Sequence, residues 1–300
     1  MNKNILGIIC GLMTGICWGV SGVFGQFLFE TRNIETTWLV PIRLTTAGIL
    51  LCIWSLIKNR EETVRLIKSG RDLLQTIATG VLGTMMFQLT FFGTVQRSNA
   101  GTATILQYLC PLMVMIYVCA RARRFPKGRE TVAVVLAIAG VFLISTHGHI
   151  GELAISPDTL IWGIGCAFFM FLSTVIPESL YDRHPSSVVT ALAILIGGLV
   201  LSLILKPWTY SVTIDPAVLI SLFFIIIGGS VAAYLFYARS IVYVGPDRAS
   251  LCATIEPVVA TVFAAVWLKT PFHAVDLIGF ACILLTVLIL NSTPSEKASR

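Results

Sequence analysis

The chain has 300 residues, of which 56% are hydrophobic and only 12% charged, against about 25% charged in an ordinary soluble domain. A soluble fold has too little polar surface to cover so much apolar side chain, so the composition specifies a polytopic membrane protein. The net charge of +6 does not point to nucleic acid, because the basic residues gather in two short loops between apolar runs.

Ten apolar windows follow in order, at 5–29, 38–57, 73–95, 100–120, 131–146, 160–180, 188–205, 217–237, 249–268 and 272–290. Each reads as a membrane helix at about 1.5 Å per residue against a ~30 Å core. The first is too long for a signal-peptide core and more spans follow it. The fifth is short, and only Gln96-Arg97-Ser98-Asn99 separates the third from the fourth, so nine is the alternative count. Lys58, Arg60, Arg65, Lys68 and Arg71 follow the second window; Arg121, Arg123, Arg124, Lys127 and Arg129 follow the fourth. The positive-inside rule makes both loops cytoplasmic, with the N-terminus inside and, after ten helices, Lys297 and Arg300 inside as well. The expected location is the cytoplasmic membrane. The longest loop, Lys58 to Asp72, is too short for a catalytic domain.

The two halves, 5–146 and 160–290, match at near-constant offsets. Thr102–Pro111 lies over Arg248–Pro257, and Gly83-Thr84 over Gly229-Ser230, at 146 residues. Gly11 meets Gly163, and Ser21 meets Ser173, at 152; Gly48 meets Gly198 at 150. Five helices per half is an odd number, so the second half should be inverted in the membrane. Inverted repeats are the architecture of secondary transporters, with the site near mid-membrane at the repeat interface. Gly7, Gly11, Gly15 and Gly19 form a ladder that lets a neighbouring helix approach closely.

Glu256 is the leading site candidate. A charge in mid-helix costs about 2.5–3.5 kcal/mol on insertion scales, so it marks a pathway or a site. Pro257 beside it lacks an N–H and leaves the carbonyl of Ala253 without its helical partner. A titratable group there is a candidate for proton or cation coupling. Arg43, deep in the second helix, needs a partner or water and offers a fork for a carboxylate. Gln88, Gln107, Tyr108 and Tyr234 read as cavity lining or interhelical glue. Trp18 with Phe87, Phe91, Phe92 and Tyr237 reads as the apolar part of a cavity or as core. Trp38 and Trp208, near helix ends, read as interface-belt residues. Gln26 and Glu178 form a polar pair at matching depth, although Glu178 also fits an interfacial charge. All eight cysteines lie in apolar segments without a CxxC, so no disulfide framework or zinc site is implied. His147-Gly-His149 reads as a solvated loop rather than a metal site. No phosphate loop, HExxH or GxSxG is present, so no cofactor and no ATP chemistry is expected.

The ten-helix, two-repeat layout, Gly11 to Trp18 with Gly19, Arg43, and the paired runs ending in Pro111 and Glu256-Pro257 resemble the EamA type of the drug/metabolite transporter superfamily. The resemblance covers nearly all of 5–290. It implies a basket of ten helices around a central cavity that moves amino acids, other metabolites or toxic compounds, often outward. The chain departs from the pattern after each proline helix, where the family commonly has Gly-Glu. Here the residues read Ala122-Arg-Arg-Phe125 and Leu268-Lys-Thr-Pro271, which puts that acid's loop contacts in question. The expected function is secondary transport, as export, of a small-molecule substrate such as an amino acid, with membrane lipids as the other partner. The alternatives are an intramembrane enzyme, with Glu256 beside a tyrosine as general base, and a non-transporting membrane sensor.

Overall fold

A computed structural model describes residues 3–146 and 154–291; His147, His149, Lys297 and Arg300 lie outside the described residues. Among the described residues nine helices are long and apolar enough to cross a membrane: α1 (Lys3–Arg32), α2 (Thr36–Lys58), α3 (Gly70–Arg97), α4 (Ala100–Arg121), α5 (Gly128–Thr146), α6 (Pro157–Tyr181), α7 (Ser186–Leu205), α8 (Pro216–Val244) and α9 (Arg248–Leu268). The tenth is α10 (Ala274–Asn291). The protein is therefore an all-α polytopic membrane protein, with ten membrane helices among the described residues. The helices α3 and α4 are separate because Asn99 is extended (φ −158°, ψ 169°) and caps α4. Its Oδ1 accepts the Thr102 N–H at 2.8 Å, which satisfies a donor that a helix start leaves without a partner.

The Lys58–Asp72 connection contains a helix that its charges obscure, Arg60–Lys68. Thr63 and Leu66 point inward, and the Thr63 and Ser55 hydroxyls share a hydrogen bond of 2.9 Å.

Helices of one half pack on those of the other. Helix α1 lies along α8 and α9, and α6 lies along α3 and α4; α2 pairs with α7, and α5 with α10. The glycine ladder of α1 explains the first contact. A Cβ on Gly15 would sit 2.6 Å from the Ala253 carbonyl oxygen, and one on Gly19 would sit 2.8 Å from that of Glu256. Only hydrogen fits there.

Among the described residues α6 breaks at Ile176–Pro177, just before Glu178, and α9 ends in a π-helical stretch, Ala264–Leu268; four helices also depart from regular geometry in matching places. Helix α4 breaks at Tyr108–Leu109 and α9 at Thr254–Ile255, each just ahead of its proline. Helices α3 and α8 each contain a π-helical stretch, Thr79–Met85 and Phe224–Ala232. A π turn carries one extra residue and recurs at functional sites.

Ion pairs join the helix ends. Arg32 at the end of α1 meets Asp215 before α8 at 2.8 Å, and Arg183 after α6 meets Asp72 in α3 at 2.8 Å. Asp215 lies outside the spans. The Val218 N–H that it caps, and then Arg32, hold its carboxyl below the usual carboxylate range.

Trp38 corrects an expectation. It is buried in the main core with Phe29 and Leu39, not set in an interface belt; Thr36 in the same first turn of α2 is bonded to the Phe92 carbonyl and Gln96 of α3, which holds this helix start against α3. Trp208, 65% exposed, fits the belt reading.

Candidate functional site

A cavity of about 1400 Å³ occupies the centre of the basket. Its floor includes Ser21, Arg43, Gln88 and Glu256, and its mouth includes Glu62, Arg124 and Arg183. It therefore opens between the loops that carry the arginines and lysines, here termed the basic end. At the opposite end α1, α8 and α9 are bound together by aromatic rings. Phe24 stacks on Phe224 at 4.6 Å, and Phe27 stacks on Trp267 at 5.1 Å.

Glu256 is buried, 5% exposed, and both its oxygens have partners from α4. Gln107 Nε2 donates to Oε1 at 3.1 Å. The Tyr108 hydroxyl lies 3.4 Å from Oε2 and 3.3 Å from the Ala253 carbonyl oxygen. One hydroxyl proton cannot serve both acceptors at once, and both distances exceed the usual O–H···O range of about 2.5–3.0 Å. The carbonyl freed by Pro257 thus finds a shared, weak donor on another helix. Both donors lie in the Gln107–Leu109 region where α4 breaks, so the two breaks face each other.

Arg43 is 4% exposed and meets neutral acceptors. Its Nε donates to Ser230 Oγ at 3.0 Å, Nη1 to Gln88 Oε1 at 3.1 Å, and Nη2 to the Gly229 carbonyl at 3.3 Å. The guanidinium also lies over the Phe92 ring, 4.8 Å from its centroid. Cation–π contact of this kind is worth about 2 kcal/mol when desolvated. Gly229 and Ser230 belong to the π-helical stretch of α8, so the irregular turn presents these acceptors. Ser21 Oγ beside them is buried without a hydrogen-bond partner.

The aromatic side of the cavity comprises Trp18, Tyr234 and Tyr237 with Phe87 and Phe91. Trp18 contacts Tyr234 edge-on at 6.0 Å and Tyr237 at 5.7 Å. The seven side chains singled out from the sequence (Glu256, Gln88, Gln107, Tyr234, Arg43, Trp18 and Tyr108) all line this one cavity. Phe92 does not. It is fully buried, and its ring fills the space left by the missing side chain of Gly25.

Sequence reading missed a polar cluster at the mouth. Asp72 accepts from Arg183 Nη2 at 2.8 Å, and His184 Nε2 lies 3.1 Å from its other oxygen. Arg183 and His184 follow α6 directly, and an aspartate in the first turn of α3 was the available signal.

Comparisons with known proteins agree with this architecture. The model of the EamA-like transporter family matches residues 5–146 and again 159–292. The chain is 27% identical to an uncharacterized inner membrane transporter, YicL, of Salmonella typhimurium, over 99% of each chain. It is 20% identical to an uncharacterized transporter of Bacillus subtilis, YwfM, over 99% of this chain and 97% of that one. A solved crystal structure, 15% identical, superposes over 94% of both chains with a TM-score of 0.63, a likeness of fold.

Proposed function

Because the chain belongs to the EamA-like transporter family, it is a membrane transporter, and we propose that it is a secondary transporter exporting amino acids or close relatives across the cytoplasmic membrane. The observation that carries this reading is a cavity open at one end and closed at the other, with Glu256 and Arg43 both on its wall. A zwitterion has an ammonium group for a carboxylate and a carboxylate for a guanidinium. Arg43 spends three of its five donors on Ser230, Gln88 and Gly229, which leaves donors for a ligand carboxylate. Trp18, Tyr234 and Tyr237 supply an apolar wall for a side chain.

The basic end is the cytoplasmic face in this reading, by the positive-inside rule. The cavity then stands ready to load from inside, as export requires. Alternating access follows if one inverted five-helix repeat, 5–146, rocks against the other, 160–290, around the fixed site. Proton or cation coupling is assigned to Glu256, the buried acid of the site.

The test is efflux of the proteinogenic amino acids from liposomes holding purified protein. Saturable, gradient-sensitive flux of at least one is expected. Flux no greater than from protein-free vesicles across the panel overturns the reading. Coupling is tested separately with Glu256→Gln, which should flatten the pH profile of flux; an unaltered profile removes Glu256 from that role.

A further inference from the structure

At the closed end one glutamine adds to the aromatic stacks. Gln26 of α1 is fully buried. Its Nε2 donates to Thr270 Oγ1 at 2.9 Å and to Glu30 Oε1 at 2.8 Å, and its Oε1 accepts the Ala100 N–H at 2.9 Å. This side chain ties α1 to the turn after α9 and to the start of α4.

The contacts of the two halves repeat in detail. A Cβ on Gly229 would meet Ser21, and one on Gly83 would meet Ser173; Gly11 likewise meets Cys252, and Gly163 meets Leu106. Both pairs of contacts map onto each other when α1 is shifted by 152 residues and α8–α9 by 146. The turns after α4 and α9 correspond as well. Arg123 and Lys269 are both left-handed, with φ of 49° and 59°. Glu130 accepts the Lys127 N–H at 2.6 Å, and Asp276 accepts the His273 N–H at 2.9 Å, in each case 146 residues apart. The same shifts carry Gln26 to Glu178 and Thr270 to Arg124.

In an inverted repeat the closed state of one end has the geometry that the other end now shows. We propose that the basic end closes when Glu178 of α6 reaches Arg124 after α4, the counterpart of the Gln26–Thr270 link. This rests on the alternating-access reading above. In the present state the mouth is open and Arg124 is held elsewhere, by a two-pronged pair with Glu130 at 2.7 and 2.9 Å. Closing the mouth requires the guanidinium to be shared with or passed to Glu178. The two seals then differ in kind. One is an amide on a hydroxyl; the other is a carboxylate on a guanidinium, stronger in a dry contact and weakened by salt at a wet one. That asymmetry makes Glu178 a gating residue whose charge sets how long the basic end stays shut.

Cysteine pairs test the assignment. In a background with the native cysteines replaced, Gln26→Cys with Thr270→Cys, and Glu178→Cys with Arg124→Cys, are oxidised in liposomes. Ala238→Cys, on the cavity wall, reports opening through its labelling by a membrane-impermeant thiol reagent from the basic end. The 26–270 bond should leave that labelling fast, and the 178–124 bond should slow it at least tenfold. A protein carrying both pairs should form one bond or the other. Failure of the 178–124 bond where 26–270 forms, both bonds in one molecule, or unchanged labelling overturns the gate. Amino acid efflux, measured on the same samples reduced and then oxidised, keeps the two readings apart. Exclusive bonds with no efflux from the reduced protein remove the transport reading and leave the gate; efflux that continues with 178–124 closed removes the gate and leaves transport. Should the cysteine replacements not fold, Glu178→Lys in the natural chain should speed hydrogen exchange of the backbone at 121–128 severalfold, and Glu178→Gln, which keeps an acceptor, should change it less than twofold. Equal effects of the two variants overturn the proposal.

Discussion

Helix α4 reads Gln107-Tyr-Leu-Cys-Pro111 at its break, and α9 reads Ala253-Thr-Ile-Glu-Pro257 at the same place 146 residues on. Both chains stop being helical at the same two positions, because a proline removes one N–H and crowds the turn before it. Their polar groups are divided instead of duplicated. The α4 side chains donate, through Gln107 and Tyr108, and α9 accepts, through Glu256 and the Ala253 carbonyl. The repeat thus supplies a helix break twice, and a single difference, glutamate where α4 has Cys110, supplies the charge once. Backbone architecture and chemistry can be separated by mutation.

The largest expected contrast is between the two residues before the prolines. Glu256→Ala should lower amino acid efflux on the order of 100-fold, as loss of a charge-assisted contact of about 3 kcal/mol implies. Cys110→Ala should leave efflux within about threefold, since a small buried thiol is replaced by a small apolar group. Equal losses in the liposome assay would break the comparison. Next comes Arg43→Met. It strands the Gln88 amide oxygen and the Gly229 carbonyl, each at about 1–3 kcal/mol, while Ser230 keeps its bond to the Ile225 carbonyl. Because those groups lie on α3 and α8, the cost should appear as lower thermal stability in detergent, with ligand or without. A normal melting temperature would make Arg43 purely a ligand contact. Gly15→Ala should destabilise by about 1–3 kcal/mol through overpacking against α9. The corresponding place on α6 is already Ala167, so Ala167→Gly should cost about 1 kcal/mol at most, from helix propensity and lost packing. Similar unfolding midpoints for the two would show that the helix contacts are not equivalent. The smallest effect belongs to Tyr108→Phe. Its long, shared hydrogen bond should be worth about 1 kcal/mol or less, read as a small shift in midpoint with the cavity intact.

The sequence carried the helix count and the central residues because each rests on a local signal. Twenty apolar residues in a row specify a span, and Glu256 or Arg43 within such a run is costly wherever the helix sits. Pro257 told which carbonyl would be freed. What accepted or donated across helices was not legible, because it depends on packing. Tyr108 reaching Ala253, and Arg43 choosing neutral acceptors over Glu256, are of this kind. Trp38 failed for the same reason, since its chemistry suits a belt and only neighbouring helices decide otherwise; Phe92 took the core alternative of its two readings. The helix Arg60–Lys68 was hidden by charges that read as loop, although its two inward residues carry the amphipathic signal.

The π-helical stretches have a consequence for rotational phase. A regular helix turns about 100° per residue, so one inserted residue rotates everything beyond it by that amount. In α3 the stretch Thr79–Met85 lies between Gln75, which bonds to the Ile176 carbonyl of α6, and Gln88, which bonds to Arg43 of α2. These two glutamines can face their separate partners because the helix changes its angular frame between them. A helical wheel drawn through the whole of α3 or α8 therefore assigns one half of its residues to the wrong side. Deleting one residue within the α3 stretch would restore a uniform spiral and leave Gln88 close to its present direction, because the widened turn is what absorbs the extra residue.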